Sequence, residues 1–128
     1  LMSYRTPLSR ARGLGAAKHG VSHWISERVA GIALVPLCLW AVYSGLVLAR
    51  LDYYGAVAWI ADPINATLVI LLIAISFMHM HSGMRVIIED YVYSHLNKAA
   101  AILGSLFITG LAGALAIMSI LKVALGGA

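Results

Sequence analysis

Residues 77–91 read Phe77-Met78-His79-Met80-His81-Ser82-Gly83-Met84-Arg85-Val86-Ile87-Ile88-Glu89-Asp90-Tyr91. This stretch begins inside an apolar segment and ends among charged side chains. Two histidines lie in its apolar part, and ionisable side chains at membrane depth are costly enough to indicate a functional site. The stretch therefore predicts a membrane helix that carries a site and leads out of the bilayer.

The composition favours a membrane protein. Hydrophobic residues make up 62% of the 128 residues and charged residues 11%, whereas a soluble domain has about 25% charged residues. This is too little charge to cover a water-facing surface. Nucleic-acid binding is disfavoured despite the net charge of +4, because the basic residues cluster at one terminus and apolar runs dominate the rest.

Three long stretches lack Asp, Glu, Lys and Arg, namely 29–49, 64–84 and 99–121. A helix of 21 residues spans about 31 Å, which matches the hydrocarbon core of a bilayer. We predict an all-α membrane protein with three transmembrane helices at about 29–49, 64–88 and 99–121, the second continuing as regular helix to about Tyr91.

The predicted organisation is a basic N-terminal arm (1–28), a three-helix anchor (29–123) and a short tail (124–128). The arm is rich in Lys and Arg, whereas the first connection carries only Arg50. The positive-inside rule then places the N-terminus and residues 85–98 in the cytoplasm or matrix. No apolar core of 7–15 residues follows the first arginines, so the arm is unlike a secretory signal; a mitochondrial presequence is the alternative.

Two local patterns predict how the helices begin and pack. Asp62 before Pro63 predicts a turn that starts the second span. Small residues recur at every fourth position of the third span, which would let two helix backbones approach closely: Ala101, Ser105, Thr109 and Gly113. The alternative is that small residues are simply common in such helices.

Helical geometry groups the residues of the opening stretch. His79 and Asp90 differ by about 20° around the axis and lie about 16 Å apart along it. Gly83 lies on the same face, where a missing side chain leaves room for a flat group. His81 is rotated from His79 by about 200° and points the other way.

A neutral imidazole is a good ligand for haem iron. His23, near the entrance of the first span, is expected at the aqueous surface, whereas His79 is about eight residues deep, so a second axial ligand would come from another chain. The alternative for His79 and for His81 is a polar residue hydrogen-bonded across a helix pair. For Asp90 and Tyr91 the alternative is a solvated helix end.

The pattern H-x3-G-x6-D-Y formed by His79, Gly83, Asp90 and Tyr91 resembles the D-type membrane-anchor subunit of succinate dehydrogenase (complex II). The lead into the first helix, residues 20–28, is similar as well. The resemblance covers roughly residues 19–123. Some relatives carry a histidine at the position of Ser22, next to which this chain has His23.

This resemblance implies a haem b site shared with a second anchor subunit. His79 would be an axial ligand of the haem iron and the metal ligand of this chain, with Gly83 giving the macrocycle room. Arg28 would lie near the haem propionates, since a guanidinium pairs well with a carboxylate, and His23 is the further candidate there. The chain would thus be half of a heterodimeric helix bundle.

The resemblance also implies a site for ubiquinone. Tyr91 would hydrogen-bond a carbonyl oxygen of the quinone, and Asp90 would tune that phenol and the proton supply.

Succinate oxidation would take place elsewhere, in a flavoprotein subunit and an iron–sulfur subunit on the cytoplasmic side. With those subunits and a C-type anchor as partners, the chain would serve the respiratory chain and the tricarboxylic acid cycle. Its expected location is the bacterial inner membrane, with the mitochondrial inner membrane as the alternative. The rival functions are an anchor of a fumarate reductase that uses a low-potential quinol, and a non-redox helical assembly subunit.

Overall fold

The structure is a computed structural model that describes residues 6–13 and 20–126. Its described part contains five helices and no strands: α1 (Pro7–Ala11), α2 (Gly20–Leu48), α3 (Tyr53–Ala61), α4 (Pro63–Tyr91) and α5 (His95–Ala124). The three long helices, α2, α4 and α5, are long and apolar enough to cross a membrane. The predicted fold class, an all-α protein with three transmembrane helices, is confirmed.

The long helices extend beyond the predicted spans. Helices of 29 or 30 residues measure about 44 Å, which exceeds the hydrocarbon core by about 14 Å, or between two and three turns. α2 begins at Gly20, so residues 20–28 of the predicted arm are its first turns. The first span was predicted to begin where the uncharged run begins. The helix itself starts earlier, because a membrane helix can extend through the interface into water. Of the rest of the arm, the structure describes residues 6–13, which contain α1.

The start of α4 follows the predicted turn. Asp62 Oδ1 accepts hydrogen bonds from the backbone N–H groups of Ile64 and Asn65, both at 3.0 Å, and Pro63 occupies the first helical turn. A side chain that satisfies the free N–H groups of a first turn is a strong start signal, and proline is tolerated there. α4 ends at Tyr91 as predicted, and only residues 92–94 connect it to α5.

The connection between the first two spans contains a helix that the sequence analysis did not identify. α3 begins after Asp52, whose Oδ1 accepts from the N–H of Gly55 at 2.8 Å. Trp59 of α3 stacks on Trp40 of α2, with ring centroids 5.9 Å apart, and its carbonyl oxygen accepts from the side chain of Asn65 at 3.1 Å. These contacts hold α3 across one end of the bundle.

α4 is the central helix, because it packs against both α2 and α5. The small-residue face of α5 lies against it, with Thr109 and Gly113 buried. A Cβ at Gly113 would lie only 3.2 Å from Cγ of Phe77, so the absent side chain permits the close approach that the sequence pattern predicts.

Few side chains are buried among the residues that the structure describes. The buried hydrophobic residues of the described part are Ala66 and Ile88, while many large apolar side chains of the long helices are exposed. Such a surface would be unstable in water, but lipid and neighbouring membrane helices can cover it.

Candidate functional site

A cavity of about 540 Å³ lies between α2 and α4. Ligand sites in proteins commonly measure about 300–1,000 Å³. The cavity brings together a histidine, an arginine, a carboxylate, an indole and two glycines, namely His79, Arg28, Glu27, Trp24, Gly31 and Gly83. It is therefore the place where residues predicted from two separate parts of the sequence meet.

The imidazole of His79 lies against α2. A Cβ at Gly31 would lie 3.6 Å from Cε1 of this ring, which is an ordinary van der Waals distance. Nδ1 of His79 is buried and has no hydrogen-bond partner within residues 6–13 and 20–126. A buried polar atom without a partner costs about 1–3 kcal/mol. Nδ1 of His79 therefore lacks the hydrogen bond across the helix pair that the alternative for this residue predicts.

Gly83 lies one helical turn after His79 and lines the same cavity. A Cβ added at Gly83 would meet no heavy atom within 4 Å. The space beside it is thus not needed for packing within this chain. An imidazole beside such open space fits a flat ligand that approaches α4 between these two positions.

Arg28 supplies the positive charge of the cavity. Its guanidinium lies 5.3 Å from the ring centroid of Trp24, a geometry in which the aromatic face attracts the cation. Both residues line the cavity together with the half-buried Glu27. Because Arg28 precedes Gly31 by three residues, it lies about 4.5 Å closer to the start of α2 than the contact with His79.

His23 lies apart from His79. It lines a second cavity, of about 600 Å³, with Arg85 and Glu89 of α4. Since His23 precedes Gly31 by eight residues, it is about 12 Å from the level of the His79 ring along α2. The two histidines therefore do not face a common point, which agrees with the different depths expected for them from the sequence.

Arg85 and Glu89 form an ion pair, with Nε and Oε1 2.7 Å apart. Both side chains are about half exposed, and exposed pairs of this kind contribute little to stability. Both residues of the pair line the second cavity together with His23.

Asp90 and Tyr91 end α4. Both are exposed, Tyr91 to 76%, and neither lines the cavity that contains His79. The last helical hydrogen bond runs from the N–H of Val92 to the carbonyl oxygen of Ile88 at 3.0 Å. As Tyr91 follows His79 by twelve residues, the two lie about 18 Å apart along the helix.

His81 faces the other neighbour of α4. Its Nδ1 lies 3.5 Å from the hydroxyl oxygen of Ser105 on α5, and it lines a largely apolar cavity of about 350 Å³ between these helices. A contact of this length is at the outer limit of a hydrogen bond. The structure thus places the two histidines on different sides of α4.

Gly31 was missed in the sequence analysis. A glycine inside an apolar span often marks a close approach of another group, and this was the available signal. Its partner could not be named, because sequence spacing does not relate positions on two helices. Glu27 was also not identified as a residue of the His79 cavity.

Within the described residues, no three His, Cys, Asp or Glu side chains come together in a way that could hold a metal ion.

The fold defines a multi-pass membrane protein of three spans whose central helix carries the candidate site. Residues 2–119 match the family described as succinate dehydrogenase/fumarate reductase transmembrane subunit. The chain belongs to this family, and the resemblance seen in the sequence is confirmed.

Several relatives bear the name succinate dehydrogenase hydrophobic membrane anchor subunit. The protein from Rickettsia conorii is 33% identical over 106 residues, which cover 81% of this chain and 84% of the relative. The protein from Rickettsia felis is 34% identical over 77% of this chain and 82% of its own length. That from Paracoccus denitrificans is 31% identical over 83% and 82%. No solved structure is significantly similar to the chain.

Proposed function

We propose that this chain is the D-type membrane anchor of a succinate:quinone oxidoreductase, where it helps to hold haem b and to form the site of ubiquinone reduction. The observation that carries the proposal is the His79 imidazole, which has a buried unpartnered nitrogen and faces a cavity left open at Gly83. The names of the relatives support the same complex.

The residues of the cavity fit a haem. His79 would hold the haem iron from this chain, and a further ligand would come from the C-type anchor, since His23 lies about 12 Å from the level of His79 along α2. Arg28 would balance a propionate, and His23 is the candidate for the other. When bound, haem iron would carry one electron at a time, and the part of this chain's residues would be to hold and orient the group.

Asp90 and Tyr91 would form this chain's part of the quinone site. A phenol can donate a hydrogen bond to a quinone carbonyl oxygen, and the neighbouring carboxylate can influence the phenol and exchange protons with water. The exposure of Tyr91 in the isolated chain leaves it available to close a site with other subunits.

Succinate oxidation would belong to the flavoprotein and iron–sulfur subunits, which this chain would anchor. The basic arm, residues 1–28, would contact them on the cytoplasmic side of a bacterial inner membrane. This orientation follows from the excess of Lys and Arg in the arm and the positive-inside rule.

The test is an optical spectrum of the purified complex together with its subunit composition. The proposal expects a low-spin haem b spectrum, succinate-dependent reduction of ubiquinone, and four different subunits. Absence of haem b would refute the role of His79 and favour a non-redox assembly subunit. A complex that contains a low-potential quinone and reduces fumarate faster than it oxidises succinate would identify the fumarate reductase alternative.

A further inference from the structure

The last turn of α4 is held by a residue of α5. Lys98 Nζ donates a hydrogen bond to the backbone carbonyl oxygen of Glu89 at 2.8 Å. The last carbonyl groups of a helix lack partners within it, and a cation at this end interacts favourably with the helix dipole. Lys98 lies near the start of its own helix, where the dipole of α5 disfavours a cation. The favourable interaction of its charge is therefore with the end of α4.

Two further contacts fix the same turn. Ile88 is buried and holds the inner side of the turn, while the ion pair between Arg85 and Glu89 runs along its surface. The carbonyl that accepts from Lys98 belongs to Glu89 itself. The turn is thus held mainly by the buried side chain of Ile88 and by Lys98 of the neighbouring helix, while the exposed ion pair adds little.

Asp90 and Tyr91 follow Glu89 directly. In the part of the chain that the structure describes, neither side chain has a hydrogen bond or an ion pair of its own. The backbone of this turn therefore determines where the Cα atoms of Asp90 and Tyr91 lie and from which point the two side chains extend. We infer that Lys98 is a positioning residue for Tyr91, and that its contact with α4 orients the phenol toward quinone. This inference rests on the proposed role of Tyr91 in quinone reduction.

The test uses the assembled complex in detergent with a short-chain ubiquinone analogue. In Lys98→Met we expect the KM for the quinone to rise about two- to fivefold, as expected for the loss of one cation at a helix end. Succinate oxidation by an artificial acceptor should stay unchanged. Lys98→Arg should restore a KM close to the wild type, because a guanidinium can donate to the same carbonyl. Lys122→Met, at the opposite end of α5, is the matched control and should change neither activity.

Hydrogen exchange of the backbone amides at residues 88–92 gives a second readout. Exchange there should be faster in Lys98→Met than in the wild type or in Lys122→Met. An unchanged KM with unchanged exchange would overturn the inference, and so would equal loss of both activities, which would indicate a role in assembly. Failure of the proposed function has a different signature, because Tyr91→Phe would then leave quinone reduction unaffected.

Discussion

The two sides of α4 give a histidine side chain different surroundings. On the α2 side, His79 has a buried nitrogen without a partner beside open space. On the α5 side, His81 lies near the hydroxyl of Ser105, where the small residues of α5 bring the helices close. The two histidines are only two positions apart. His79 has the surroundings expected of a ligand, whereas His81 has those expected of a structural polar residue. Helical rotation turns the two rings to opposite sides of α4, and the helix packed on each side determines what surrounds each ring.

Replacing each histidine separately tests this comparison most directly. His79→Ala should remove haem b from the complex or leave it loosely bound, because the iron loses an axial ligand. His81→Ala is the matched control and should leave the spectrum nearly unchanged. Haem content and the reduced-minus-oxidised spectrum of the purified complexes measure the result. The opposite outcome would mean that the α5 side holds the haem.

A substitution at Tyr91 tests whether the exposed end of α4 has a function separate from that of its buried part. Tyr91→Phe should lower the rate of ubiquinone reduction by at least about tenfold, since a positioned proton donor commonly contributes about 10²–10⁴-fold. The haem spectrum and succinate oxidation by an artificial acceptor should be retained. Equal loss of both activities would instead point to damaged assembly and contradict a specific role in the quinone site.

Alanine substitutions at Gly113 and Gly31 test the packing on the two sides of α4. We expect their effects to be the smallest of those predicted. A Cβ at Gly113 would lie 3.2 Å from Phe77, whereas one at Gly31 would lie 3.6 Å from His79. Gly113→Ala should destabilise the chain by about 1–3 kcal/mol, because a closely packed contact must open. Gly31→Ala should leave stability close to the wild type.

Thermal unfolding of the two glycine variants in the complex, followed by loss of haem absorbance, checks this. A lower Tm for Gly31→Ala than for Gly113→Ala would contradict the close packing of α5 on α4.

The sequence alone was sufficient for the three spans, the start of α4 at Asp62 and its end at Tyr91. These features depend on local physical chemistry, because bilayer thickness sets the length of an uncharged run and an Asp-Pro pair starts a helix through its own side chain. The divergence of His79 and His81 followed from helical rotation alone. The resemblance to the anchor family rested on residues within one helix and its surroundings.

Other features were decided by tertiary structure. The position of Gly31 against His79, the contact of Lys98 with Glu89, and the packing of Trp59 of α3 on Trp40 each join residues of different helices. Periodicity places a residue on a face of its own helix but does not state which residue of another helix lies opposite. That pairing depends on how far each helix is shifted and rotated against its neighbour, which only the packed bundle determines.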